Sequence, residues 1–231
     1  VTTADFDTNL TVTVNGGDGS DTILGSEFAD SLIGGNGADS ITGASADDTL
    51  EGSNGIDTLA GGTGNDSLFG GDGADTIDGN DGHDSVSGED GNDSLEGFGG
   101  DDTLIGGAGN DTASGAGGSD SLVGNDGDDR LLGGGASDTL EGGAGIDFLN
   151  GGAGIAVISD QIEGTLVLTN TGYQTTRGDR ALVDAGAGNQ LGNVTLQGSD
   201  LADVIDISTF TGGRVTVMAG GGNDSVLGGA G

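Results

Sequence analysis

Aspartate recurs every nine residues along this chain, and glycine recurs with it. The unit is G-G-x-G-x-D-x-U-x, with U a large apolar residue, and it runs sixteen times without insertion or deletion from Gly16 to Ser159. Position 1 is Gly in every copy. Position 6 is Asp in fifteen: Asp21, Asp30, Asp39, Asp48, Asp57, Asp66, Asp75, Asp84, Asp93, Asp102, Asp111, Asp120, Asp129, Asp138 and Asp147, with Ala156 breaking the series. Glycine tolerates positive φ, so positions 1, 2 and 4 let the backbone curl tightly and turn carbonyl oxygens inward. A carboxylate beside such carbonyls is a set of hard oxygen donors on a flexible loop. That set suits Ca²⁺, which takes six to eight oxygens, better than Mg²⁺, which is stricter about geometry.

The rest of the unit must hold these loops in place. Position 8 is apolar throughout, from Ile23 and Leu32 to Leu149 and Ile158. Positions 7 to 9 are predicted to form a very short strand, with position 8 facing in and the Ser/Thr of position 7 facing out. Two units then make one 18-residue coil of loop, strand, loop, strand. Stacked coils give two parallel sheets around a thin apolar core, and a fixed period of this kind is the signature of a solenoid. Copy n sits over copy n+2, so sixteen copies provide fourteen stacked loop pairs, each able to share a cation.

The repeat resembles the RTX (repeat-in-toxin) family, whose β-rolls occur in secreted bacterial proteases, lipases, toxins and adhesins and in the similar modules of alginate epimerases. Copy number makes the match specific over Gly16–Ser159, and it recurs at Gly198–Asp206 and Ala219–Leu227. The resemblance implies an all-β, right-handed parallel β-roll with Ca²⁺ in its stacked loops. It also implies that the position-6 carboxylates are ligands, with Asp203 and Asp224 added by the later repeats. Carbonyls such as those of Gly17, Gly19, Gly35, Gly37, Gly62, Gly64, Gly71, Gly73, Gly107 and Gly109 would complete the sites. Phe28, Ala46 and Ala136 replace the position-4 Gly in copies 2, 4 and 14, which share one column, so weaker or missing sites are expected near its start. With Ala156, the last copy is expected to close the run poorly.

Composition agrees. The chain has 231 residues, 55 Gly, no Pro, Cys or Trp, and a formal charge of -35. Low hydrophobicity with high net charge is by itself a disordered composition. One apolar residue per nine does not offset the entropy of ordering nine residues, and repulsion between stacked Asp side chains opposes folding further. About fourteen Ca²⁺ would bring about +28 against -35. The expectation is a chain disordered without Ca²⁺ that folds on binding it. Extracellular Ca²⁺ could load sites of the weak class, roughly 10⁻⁴–10⁻³ M, whereas the cytosol could not. That points to a secreted or cell-surface protein, and the resemblance implies type I secretion. The chain stops four residues into a repeat, at Gly228–Gly231, and reads as part of a longer protein.

Around the main run, residues 1–15 contain an alternating Leu10–Val14 stretch and are expected to form the first rung or cap. Residues 160–197 lack the repeat but read as strands at Gly164–Thr169, Arg180–Asp184 and Asn193–Gln197. A widened continuation of the solenoid is favoured over a separate domain, with repeats resuming over 198–231. Nothing reads as helix or as a transmembrane run.

Several chemistries are disfavoured. Nucleic-acid binding is opposed by the charge. With no Lys, the many G-x-G patterns are not phosphate loops. EF-hands need flanking helices and a Glu at loop position 12, and both are absent. No nucleophile–base pair stands out, so the chain is not read as an enzyme. His83, at the variable position 5, is expected to be exposed and inert, and Tyr173 to lie in a loop or at the surface. The position-3 acids Asp18, Asp72, Asp81, Asp90 and Asp126 are read mainly as solvated surface, since position 3 can serve through its carbonyl. Position 9 should face outward yet holds Ile33, Phe69, Ile105 and Val123, read mainly as scattered surface apolars, and Phe98 at a loop's position 2 is unexplained.

The favoured function is a Ca²⁺-dependent structural or adhesive scaffold supporting neighbouring domains. The alternative is a carbohydrate-binding accessory module for extracellular polysaccharide, suggested by the Arg-bearing segment 173–180. Ice binding needs a T-G-N ladder, and only Thr63–Asn65 supplies one.

Overall fold

The computed structural model describes residues 11–152 and, beyond them, the strand residues 157–162, 165–169, 180–184, 193–198, 204–209, 214–218 and 225–227. Every regular element among these is a strand, and every pairing is parallel. An eleven-stranded and a nine-stranded sheet are built, over the main run, from alternate strands of the chain, so each strand there pairs with the next but one. Leu32 lies beside Leu50 and Leu50 beside Leu68, one 18-residue coil apart. The stack makes about eight turns.

The expected three-residue strand is too short. Most strands have six residues, as in Ser31–Asn36 and Ser67–Asp72, running from position 7 of one copy to position 3 of the next. The first half of each glycine loop therefore joins the hydrogen-bonded ladder. The turn proper is confined to positions 4 to 6, where N–H groups still find stacked acceptors: Gly37 donates to the Asn54 carbonyl at 2.8 Å and Gly55 to that of Asp72 at 2.7 Å. Backbone groups thus stay paired around the coil, as a thin solenoid with little shielding requires.

The two-residue alternation of a strand extends backward into the loop. Position 8 is buried, positions 7 and 9 are exposed or half-buried, and both the position-1 Gly and the position-6 Asp point inward. The interior is a column of single apolar residues from Val14 to Leu149, including Ala113, flanked by carboxylates. Outward-facing Phe69 is exposed, while Ile33, Ile105 and Val123 are half-buried.

The N-terminal strand runs over Thr13–Asp18 rather than Leu10–Val14. Val14 pairs with Leu32 and sits in the core column, while Val12 packs against it. Residues 1–10 lie outside the described set. Beyond the main run, strands form at Val157–Ile162, Thr165–Thr169, Arg180–Asp184 and Asn193–Gly198. All but Thr165–Thr169 pair in line with the preceding coils, the later ones at a wider offset, Val157 with Asn193 and Ile146 with Arg180. A third, three-stranded sheet of Thr165–Thr169, Val204–Thr209 and Ser225–Leu227 appears there.

Candidate metal centre

The inward turn at position 6 takes a carboxylate out of water once per copy. The position-6 side chains from Asp30 to Asp147 are at most 4% exposed. Each accepts a backbone hydrogen bond through Oδ1. Oδ1 accepts the backbone N–H of the Asp eighteen residues earlier, at 2.7–3.0 Å from the Asp30–Asp48 pair to the Asp129–Asp147 pair. In every copy from Asp39 to Asp138, Oδ2 is buried with no hydrogen-bond partner. A buried polar atom left unpaired costs about 1–3 kcal/mol, and more when charged.

These second oxygens share one environment. A Cβ built on Gly34 would run into Asp39 Oδ2 and come within 2.9 Å of the Gly52 carbonyl oxygen. Gly61 faces Asp66 Oδ2 and the Gly79 carbonyl in the same way, and Gly106 faces Asp111 Oδ2 and the Gly124 carbonyl. In front of these position-1 Cα atoms, and likewise at Gly43, Gly52, Gly70, Gly88 and Gly124, a carboxylate oxygen of copy n and a carbonyl oxygen of copy n+2 converge on space that only a missing side chain leaves open. At position 4 the carbonyls of Gly19, Gly37, Gly64, Gly73 and Gly109 lie against the Cα of the next loop in the column, and at position 2 that of Gly17 lies against Gly35. Gly35, Gly62, Gly71 and Gly107 occupy position 2 in register with Ser53, Asn80, Glu89 and Asn125.

Burial pushes these carboxyls up, to about 7 at Asp48 and about 6 at Asp93, Asp111, Asp129 and Asp138. Asp57, Asp66, Asp75, Asp84, Asp102 and Asp120 shift in the same direction. The N–H bond to Oδ1 opposes the shift, and repulsion from stacked carboxylates adds to it. The interior lacks positive charge at the second oxygen.

A cation fits that need. Among the described residues no three His, Cys, Asp or Glu side chains converge, so a centre offers at most two carboxylates and otherwise backbone carbonyls. An all-oxygen set dominated by carbonyls suits Ca²⁺ and excludes the nitrogen and sulfur ligation of a structural zinc site.

A family model described as the RTX calcium-binding nonapeptide repeat matches residues 15–50, 51–86, 78–113, 105–140, 114–149, 132–154 and 211–231. The chain belongs to the RTX calcium-binding repeat family. No curated protein matches it significantly. The RTX repeat is a structural, calcium-binding unit and not a catalytic one. No helix among the described residues of this RTX chain is long and apolar enough to cross a membrane.

The departures from the RTX pattern behave differently from one another. Ala46 and Ala136 keep the left-handed turn of the Gly they replace, at φ 73 and 67, so copies 4 and 14 retain the loop. Phe28 does not take that conformation, and only copy 2 departs. There the strand stops after three residues, Thr22–Leu24, and Asp30 Oδ2 accepts both the N–H and the hydroxyl of Ser26, at 2.7 and 3.0 Å. Phe98 is held at φ 69 with its ring exposed.

Position 5 does more than its variability suggests. The N–H of Asn65 donates to Asp47 Oδ1, that of His83 to Asn65 Oδ1, and that of Asp101 to His83 Nδ1 at 2.8 Å. His83 is exposed but not inert. It is one rung of a side-chain ladder whose members share only an acceptor atom, a property residue type alone does not advertise. The position-3 acids are exposed, and Asp18 accepts from Asn36 Nδ2 at 2.7 Å. Asp203, Asp224, Ala156, Tyr173 and Arg177 lie outside the described residues.

Proposed function

We propose that the chain is a calcium-dependent structural module that orders only when its loops are loaded. The supporting observation is the series of buried Oδ2 atoms from Asp39 to Asp138, which lack a donor and at Asp39, Asp66 and Asp111, among others, face a carbonyl from the next coil. Position-6 carboxylates from Asp21 to Asp147 would hold the ions through Oδ2, with carbonyls of positions 1, 2 and 4 from both loops of a pair. On this reading up to about fourteen ions lie along the main run, one per stacked pair. Bound Ca²⁺ supplies the positive charge that the interior lacks and ties copy n to copy n+2. Binding free energy is then folding free energy.

RTX repeats are typical of secreted bacterial proteins. Folding outside the cell, where Ca²⁺ is abundant, and stiffening of neighbouring domains follow from the same reading. The test is a CaCl₂ titration of the chelated protein followed by far-UV circular dichroism. A cooperative transition from coil to β near extracellular Ca²⁺ concentrations is expected. A β signal indifferent to both Ca²⁺ and EDTA would overturn the proposal.

A further inference from the structure

Copy 2 breaks the pattern in a way that bears on the metal itself. Asp30 is buried like its counterparts, and its Oδ1 accepts the N–H of Val12 at 2.7 Å, as the others accept from the rung before. Its Oδ2 is different. From Asp39 to Asp138 this oxygen has no donor, whereas at Asp30 it has two, both from Ser26.

The turn that delivers Ser26 arises from Phe28. With Phe in place of Gly, position 4 does not enter the left-handed region. The loop closes instead as a tight side-chain turn, in which the Phe28 N–H donates to Ser26 Oγ at 3.2 Å. Gly25–Glu27 consequently leave the ladder, and past the bond from the Gly25 N–H to the Thr42 carbonyl their link to copy 4 is one long hydrogen bond, Ser45 N–H to the Ser26 carbonyl at 3.4 Å. Ala46 shows that this is not the inevitable result of losing the glycine, because alanine at the same position keeps the left-handed turn.

We infer that the Gly25–Asp30 loop is a calcium-free terminator of its column, in which Ser26 stands at Asp30 Oδ2 where a cation stands at the other carboxylates. This rests on the calcium reading above. Two charge-assisted hydrogen bonds satisfy the carboxylate from within the chain. The Gly43 carbonyl still faces Asp30 Oδ2 before Gly25, as in the other copies, so what sets this site apart is the Ser26 pair, and an ion entering there would have to strip both bonds. The roll therefore takes up one ion fewer than its stacked pairs allow. The first loop of this column is ordered by its own side chains, while the loops after it await the metal.

Ions bound at saturating CaCl₂ would be counted by native mass spectrometry on the full chain, its D30N and D39N variants, and the double variant S26G/F28G. D30N should bind as many ions as the unmodified chain, and D39N one fewer. S26G/F28G, checked for roll formation by circular dichroism, should bind one more. Loss of an ion in D30N, or an unchanged count in a folded S26G/F28G, overturns the inference. If none of the four proteins binds calcium, the calcium reading itself fails, which is a separate result.

Discussion

The backbone N–H of Asp93 donates to Oδ1 of Asp111 at 2.8 Å, one coil further along. That bond fixes the Asp111 side chain and leaves its second oxygen with no donor of its own, in the space before Gly106 that the Gly124 carbonyl also faces. One carboxylate thus does two jobs, latching one coil to the next and presenting charge to the space between loops.

Replacing Asp111 by Asn separates these jobs. The amide oxygen can still accept the Asp93 N–H, while the amide nitrogen meets the Gly124 carbonyl as a donor. D111N should bind one ion fewer and melt earlier than the unmodified chain in Ca²⁺. Native mass spectrometry and thermal melts in Ca²⁺ check this, and an unchanged ion count would sink it.

The position-1 glycines give a steric test. Gly106 is not in the left-handed region, so alanine there is disfavoured only by what it touches, namely Asp111 Oδ2 and the Gly124 carbonyl. G106A should lose one bound ion while the coils on either side keep theirs. An unchanged ion count would show that the metal lies elsewhere.

Acidity should act in opposite directions with and without metal. The folded carboxyls sit at about 6 to 7 against an ordinary value of 3.8. Between about pH 4 and 7 the folded state therefore holds protons that the unfolded chain has released, so folding in EDTA strengthens as pH falls and is lost as pH rises past 6 to 7. In Ca²⁺ the same protons compete for Oδ2, and the CaCl₂ midpoint should climb on acidification. Circular dichroism at pH 7.5 and 5, with and without calcium, reads both. A midpoint insensitive to pH would separate these carboxylates from the metal.

Two substitutions probe the scaffold. Leu68 is fully buried in a column with one apolar residue per copy, and L68A should cost about 2–5 kcal/mol by chemical denaturation in Ca²⁺. H83A removes the acceptor of the Asp101 N–H and should cost about 0.5–1.5 kcal/mol, whereas H83N, which matches Asn65 in the same column, should be close to neutral.

Much of this was legible in residue spacing. The nine-residue period set the 18-residue register, and the apolar position 8 named the core from Ile23 to Leu149. Apolar alternation located the strands at 165–169, 180–184 and 193–198 to within a residue. Strand length was not legible, because position 1 is always glycine and positions 2 and 3 are glycine, small or polar in nearly every copy, with no recurring large apolar residue to mark an in–out pattern. The inward direction of Asp39 and its counterparts follows from the same alternation carried two residues back from position 8. The closure of copy 2 was only half legible. Phe28 signals a broken turn, but that Ser26 would turn back onto Asp30 depends on where the broken turn leads the chain.

The 18-residue register also makes each coil a spool. Stretched out, 18 residues span roughly 60 Å, yet once wound they advance the stack by about 4.8 Å, a single strand spacing. Pulling on the chain would release that slack one coil at a time. Since the coils from Asp21 to Asp147 are fastened by the same latch between neighbouring aspartates, the force trace over them should be a sawtooth of near-equal steps, its height reporting what each loop holds.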